Sequence, residues 1–337
     1  MADPTLTPDQ ILQLGHAYRR AKTLLSAVEL GVFTVLAEGP TGLETLSRRT
    51  GVHERGARDF FDALVALGML RRDEAGNYAN TAETAFYLDR SKPSYIGGEL
   101  EHFSVYVFPH WSFLTEALRT GQPQSGKRAA GHYTALYADR PSLERLAKGM
   151  TGGTLPVAKL LAQRFPWNNY RTLLDVGTAQ GCLPVQIALA HPHLGGGGFD
   201  LPPVRPLFED YVREHGLADR LQFFPGDFVN DTLPKADVIV LGRILHNWDL
   251  PTKKRLLRKV HDALPPDGAL IVYERLIDDE RRVNASALLA SLNMLIMTSG
   301  GFDFTAADCF NWMREAGFRD PRLMPLAGEF SMIAGLK

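Results

Sequence analysis

The chain has 337 residues, 45% of them hydrophobic, with 37 basic against 38 acidic side chains and a formal net charge of −1. That length is enough for two domains, each burying a core of its own. So even a charge balance excludes the basic field that nucleic acid or an anionic membrane surface demands, and neither is an expected partner.

Met1 to Pro8 lacks the charged-then-apolar plan of a signal peptide, and no apolar run approaches the roughly 18 residues that span a bilayer. Cys182 and Cys309 are too few for a disulfide framework and sit in apolar patterns, so both are expected as buried thiols in a cytoplasmic protein. Thr7-Pro8-Asp9 begins a helix, with Ile11, Leu12, Leu14, Tyr18, Ala21, Leu24, Leu25 and Val28 at helical spacing. Ser26 to Phe33 reads as a second apolar helix. Two short helices, Thr41 to Val52 and Glu54 to Leu70, then lead into a hairpin over Leu70 to Ala79. Helix, helix and two-stranded wing make a winged-helix pattern. A regulator that binds DNA is disfavoured, because Glu54, Arg55, Arg58 and Asp59 mix their charges where phosphate contacts need one basic face.

Tyr95 to Leu118 is helix-rich and carries Phe103, Tyr106, Phe108, Trp111 and Phe113, rings that fill a core or shape an aromatic pocket. Gly121 to Arg128 is polar and turn-rich, as an exposed linker would be. Leu143 to Met150 is a helix leading into the second half. From Thr172 onward, strands near 172–176, 196–200, 221–224, 237–242 and 269–274 alternate with helices, which predicts a mostly parallel sheet covered on both faces. Ligands of such sheets bind outside the carboxyl ends of the strands.

Those ends are where the polar residues gather. Asp175-Val-Gly177-Thr-Ala-Gln-Gly181 closes the first strand, and its glycines let backbone approach a ligand at a helix start. Asp200 ends the second strand, where nucleotide-binding folds keep an acid for ribose hydroxyls. Asp227 and Phe228 end the third. Arg243, His246, Asn247, Trp248 and Asp249 follow the fourth. His246 is the leading general-base candidate: an imidazole of pKa about 6.5 can take a proton from a phenol of pKa about 10 near neutrality.

Residues from about 150 onward resemble class I S-adenosylmethionine-dependent methyltransferases, and the whole chain resembles the small-molecule O-methyltransferases typified by caffeate, hydroxyindole and polyketide enzymes. The likeness rests on Leu174-Asp175-Val-Gly177-x-x-x-Gly181, Phe199-Asp200-Leu201-Pro202, Gly226-Asp227-Phe228, Leu245-His246-Asn247-Trp248, Glu274 and Gly300-Gly301-Phe-Asp303-Phe-Thr305, all in order. A nicotinamide dehydrogenase is less consistent, since Gly-x-Gly-x-x-Gly does not occur.

The resemblance implies an α/β fold: a Rossmann-like methyltransferase domain with a mostly parallel seven-stranded sheet, and an N-terminal all-helical winged-helix dimerisation domain. It divides the chain into a dimerisation domain over 1–95, a helical linker and pocket region over 96–150, and a catalytic domain over 151–337. It implies a homodimer that methylates a hydroxylated aromatic small molecule and releases S-adenosylhomocysteine. His246 would be the base, with Glu274 and Asp303 as its acidic partners. Asp175, Gly177, Gly181, Asp200, Leu201, Asp227, Phe228, Arg243 and Trp248 would hold the cofactor. Met150, Asn293, Met294 and Met297 would face the acceptor. The chain departs from the family in having Asn247 after the histidine and Asp303 where glutamate is usual, so Glu274 is the expected orienter. No metal is expected, because His191-Pro-His193 and His261-Asp262 lack a third ligand nearby. The same fold also serves C- and N-methyltransferases and cofactor-retaining pericyclases or hydroxylases.

Overall fold

In the computed structural model, residues 6–125 and 140–337 are described, and the chain divides into two units, Met1–Phe108 and Pro109–Lys337. The break falls inside the 96–150 segment that the sequence suggests as one region.

In the first unit no breaker interrupts the apolar spacing before Gly31, so a single helix runs Asp9–Glu29 and absorbs the start of the expected second helix, leaving only Val32–Val35 beyond the turn. Helices Leu43–Thr50 and Glu54–Ala66 follow, then strands β1 (Leu70–Arg72) and β2 (Tyr78–Asn80), paired antiparallel with Leu70 opposite Asn80. The wing is therefore a true hairpin within an otherwise helical unit. Val32, Phe33, Leu46, Phe61, Leu64 and Tyr78 fill the core. Only the last turns of the long helix join it, through Leu25, Ala27 and Val28; Ile11 and Leu14 remain 76% and 78% exposed.

The second unit is built on one seven-stranded sheet of β3 (Thr172–Val176), β4 (Gly195–Asp200), β5 (Leu221–Pro225), β6 (Val238–Gly242), β7 (Ala269–Arg275), β8 (Arg319–Pro325) and β9 (Phe330–Leu336). Their order is β5-β4-β3-β6-β7-β9-β8. Strands β3 to β7 are parallel, while β9 runs antiparallel between β7 and β8. The central parallel strands β3, β6 and β7 are buried on both faces, which explains unbroken apolar runs such as Val238-Ile-Val-Leu. Strand order reverses between β3 and β6, and that switch point opens a crevice at their carboxyl ends.

Two expectations are corrected here. Gln122 to Ser125 is not a free linker: Gln124 donates its backbone N–H to the Ile296 carbonyl at 2.8 Å, and the buried Ser125 hydroxyl donates to the Met297 carbonyl at 3.2 Å. These carbonyls end the helix Ala285–Met297 and lack intrahelical donors, so the polar segment caps them. Gly126 to Arg128 lie outside the described residues. The helix expected over Leu143 to Met150 is one part of Arg140–Arg164, which continues through Pro156. A proline inside a helix costs about 3 kcal/mol, and burial of Val157, Ala158, Leu161 and Ala162 against the sheet offsets it. Among the described residues no helix is long and apolar enough to cross a membrane.

Candidate active site

The turn after β3 is shaped by backbone that a side chain would not tolerate. Gly177 has φ +75°, and a Cβ there would collide with Ile244 Cδ1. Gly181, also left-handed, packs against the Phe208 ring. Both glycine N–H groups are satisfied inside the protein, Gly177 by the Phe199 carbonyl at 2.8 Å and Gly181 by the Thr178 carbonyl at 3.0 Å. The motif thus opens space for a ligand without offering these two amides, a correction to the sequence reading. Gly177 lines a cavity with Met150, Asp175, Thr178, Arg243 and Tyr273; Gly181 lies outside it.

Burial governs the carboxylates of this crevice. Asp175, 5% exposed, is pushed up to about 7 by desolvation. Asp200 is raised to about 6 by the same cause, partly offset because its carboxylate accepts the Ala179 and Leu201 backbone N–H groups at 2.9 and 2.7 Å. Asp200 thereby ties the glycine turn to the end of β4. Its two oxygens offer about four acceptor positions, so two remain for hydroxyl donors. The Thr178 hydroxyl is buried beside Asp175 and lowers that carboxyl against the desolvation; Thr178 also lines the cavity.

Asp227 is occupied locally: its oxygens accept Val229 N–H at 2.9 Å and Asn230 Nδ2 at 2.7 Å, folding the loop that presents Phe228. Phe228 and Trp248 meet edge to face, ring centroids 5.8 Å apart. The loop is gripped from below by Lys259, whose ammonium donates to the carbonyls of Phe228, Val229 and Asp231 at 2.8, 3.0 and 2.7 Å. Replacing Lys259 by methionine removes three charge-assisted hydrogen bonds from that wall. Loss of roughly 1–2 kcal/mol of loop order corresponds to about a 5- to 30-fold weaker cofactor affinity. Titration calorimetry of K259M checks this; an unchanged dissociation constant would remove Lys259 from the cofactor wall.

Beyond β6, the chain turns at Arg243, a non-glycine residue with φ +57° whose N–H donates to the Tyr273 carbonyl at 3.0 Å. The short helix Leu245–Asn247 is anchored by fully buried Leu245, and the His246 side chain is 18% exposed; His246 is not among the residues that line the cavity beside Gly177. The Asn247 amide donates to the carbonyls of Arg243 and Ile244 at 3.3 and 3.4 Å, bracing this turn. Asn247 therefore has a structural task that needs no charge.

Glu274, 1% exposed at the end of β7, places Oε2 2.7 Å from His246 Nδ1, while Oε1 accepts the His246 backbone N–H at 3.4 Å. A carboxylate at Nδ1 assigns the proton to that nitrogen and leaves the Nε2 lone pair as an acceptor. Asp303 completes the cluster: one ligating atom each from His246, Glu274 and Asp303 lie within 4.8 Å of one another. Asp303 Oδ2 is buried and has no hydrogen-bond partner among the described residues. Desolvation, opposed by the His246 charge and reinforced by that of Glu274, raises its carboxyl to about 6. Gly301 makes the approach possible, since a Cβ there would stand 2.6 Å from the His246 carbonyl oxygen.

The acceptor candidates spread over two places. Met150 lines the cavity beside Gly177. Asn293 accepts a hydrogen bond from Trp111 Nε1 at 3.1 Å, which directs its amide NH₂ elsewhere. Met294 is half-buried, but Met297 is 7% exposed and belongs to the core end of its helix. Tyr273, Thr178, Lys253 and Lys259 escaped the sequence reading.

Comparisons with known proteins agree with this geometry. An O-methyltransferase domain model matches residues 111–319, and an O-methyltransferase dimerisation domain matches residues 12–90. The chain is 42% identical over 330 residues to the tetracenomycin polyketide synthesis 8-O-methyl transferase TcmO of Streptomyces glaucescens, covering 98% of this chain and 97% of that one. It is 36% identical over 336 residues to the N,N-dimethyltransferase OxyT of Streptomyces rimosus, with 98% and 97% covered. Human N-acetylserotonin methyltransferase, solved in complex with SAM, superposes with a TM-score of 0.91 at 25% identity, covering 100% of this chain and 99% of that one.

Proposed function

Since the chain belongs to the S-adenosylmethionine-dependent O-methyltransferase family that carries its own dimerisation domain, we propose that it methylates a phenolic hydroxyl of an aromatic, polyketide-type small molecule with His246 as general base. The observation that carries this reading is the 2.7 Å contact between Glu274 at the end of β7 and Nδ1 of His246, which follows β6.

The residues present fit S-adenosylmethionine. Asp200 has acceptor positions to spare for ribose hydroxyls, Phe228 and Trp248 offer a ring wall, and Gly177, Thr178 and Arg243 line a cavity whose shape depends on the missing Cβ at Gly177. The bound cofactor supplies an activated methyl group on a sulfonium. The protein supplies the rest: Nε2 of His246 takes the phenol proton, and Glu274 holds the ring and stabilises the imidazolium that forms. Asp303 adds a second negative charge near the protonated ring.

The test is incubation with a 13C-methyl donor and a panel of naphthoates, anthraquinones, flavonoids and phenazines. Label in a methoxy carbon is the expected result. OxyT keeps a second reading in view, transfer to nitrogen; label on nitrogen or carbon, or an unlabelled rearranged or hydroxylated product, would overturn O-methylation.

We also read the protein as a cytoplasmic homodimer joined through the first unit. The support is a dimerisation-domain match over 12–90 and the exposed Ile11, Leu14 and Tyr18 on a helix of which only the last turns pack inward. Ile11→Glu with Leu14→Glu is expected to halve the mass measured by light scattering; an unchanged mass would place the interface elsewhere.

A further inference from the structure

Lys253 lies in the first turn of the helix Leu250–Ala263, yet it is 0% exposed. A lysine is almost never fully buried without partners. This one donates from Nζ to the Phe302 carbonyl at 2.7 Å and stands 3.0 Å from the centroid of the Phe302 ring, with Phe304 and Trp312 at 5.3 and 5.7 Å. A carbonyl and three ring faces are a setting for a cation, because each turns negative charge toward it. Phe302 directly precedes Asp303, whose Oδ2 is buried without a hydrogen bond. The cation and the orphaned carboxylate are thus held by the same turn. Phe302 and Asp303 are carried there by Gly300 and Gly301, which close on Asp249 and the His246 carbonyl.

We propose that Lys253 is a positioning residue for the reaction, its buried ammonium supplying the counter-charge for the Asp303 carboxylate beside His246. The assignment rests on the reading of His246 as the base. One imidazole and two carboxylates without a counter-ion would carry excess negative charge in a dry site, and a like-charge pair resists ionisation. With Lys253 charged, the cluster becomes neutral overall once His246 has accepted the phenol proton. Burial outweighs the charges of Glu274, Asp303, Asp249 and Asp308, which face it from four segments, and lowers the lysine to about 7. Asp303 in turn is faced by His246, Glu274, Lys253 and Arg275. Burial therefore drives both members of the Lys253–Asp303 pair toward their neutral forms, and each opposes that drive in the other. Loss of the ammonium raises Asp303 further, so the carboxylate is lost at higher pH.

The experiment compares full-length wild type, Lys253→Met, Lys253→Gln, Asp303→Asn, the Lys253→Met/Asp303→Asn double variant and His246→Ala. Cofactor affinity serves as the check on folding, and glutamine, which can still donate to the Phe302 carbonyl, covers the case in which methionine does not fold. Asp303 is followed directly by the 13C resonance of its carboxyl in aspartate-labelled protein, identified by its absence in Asp303→Asn. From about 6 in the wild type, its midpoint is expected to rise by about one unit in both lysine variants. Their kcat/KM should fall about fivefold at pH 6 and less than about threefold at pH 8.5, a shift of the acid limb. In the Asp303→Asn background the lysine substitution should move the limb no further. An unmoved midpoint, a wild-type midpoint and profile in Lys253→Gln, or an equal shift in the Asp303→Asn background would each overturn the assignment. So would loss of wild-type turnover to a chelator, since the cation beside Asp303 would then be a metal. The resonance needs no turnover, so an active His246→Ala would refute the base alone and leave the Lys253 result to stand or fall by itself.

Discussion

Replacing His246 by alanine is expected to lower kcat by about 10²- to 10⁴-fold at pH 7.5 while leaving cofactor affinity within about threefold, the range removed with a well-placed general base. A phenol of pKa about 10 is then left to solvent for its ionisation. The defect should shrink as pH rises and hydroxide replaces the lost base, because above the phenol's own pKa no proton remains to be taken. It should also shrink for acceptors with more acidic phenols. These two dependences separate a base from a residue that merely shapes the pocket: a packing defect in the Leu245–Asn247 turn would slow all acceptors and all pH values alike. Cofactor binding by calorimetry and single-turnover rates across a series of substituted phenols would decide it. An alanine variant with wild-type turnover would end the reading.

Glu274→Gln is expected to come next, with kcat lowered by about 10²- to 10⁴-fold, as when a histidine loses the carboxylate that sets its tautomer. Glutamine preserves the shape of a side chain that is 1% exposed, so the cavity left by alanine is avoided. It does not preserve the chemistry. An amide NH₂ turned toward Nδ1 would hold the ring in the tautomer that places a proton on Nε2, where the lone pair is needed. It also removes the negative charge that stabilises the imidazolium. The double variant with His246→Ala should be no slower than His246→Ala alone, since the glutamate acts only through the ring. Additive losses would show that Glu274 does something else, and an unimpaired Glu274→Gln would show that the 2.7 Å contact has no part in turnover.

Much of this site could be read from the chain because it depends on local order. The apolar runs ending in Asp175, Asp200 and Gly242 announce buried parallel strands, and a parallel sheet must be crossed by helices, which delivers every strand end to one edge. The pairing of His246 with Glu274, 28 residues apart, followed from the family resemblance, and neighbouring parallel strands that end side by side are what bring it about. The long helix over Asp9–Glu29 also follows from spacing, once Gly31 is taken as the first real breaker.

What the sequence by itself determined was the alternating architecture, the strand-end polar residues and the imidazole among them, because periodicity and breakers are properties of neighbours along the chain. What only the tertiary structure decided was partnership. It took folding to show that the amides of Gly177 and Gly181 are already engaged, that Gln124 and Ser125 cap a distant helix, and that Lys253 lies under the catalytic turn rather than in water. A lysine in an amphipathic helix is written the same way whether it faces solvent or a cage of aromatic rings. Its environment is set by residues about 50 positions away, and no local pattern encodes which side chains the fold will bring to it.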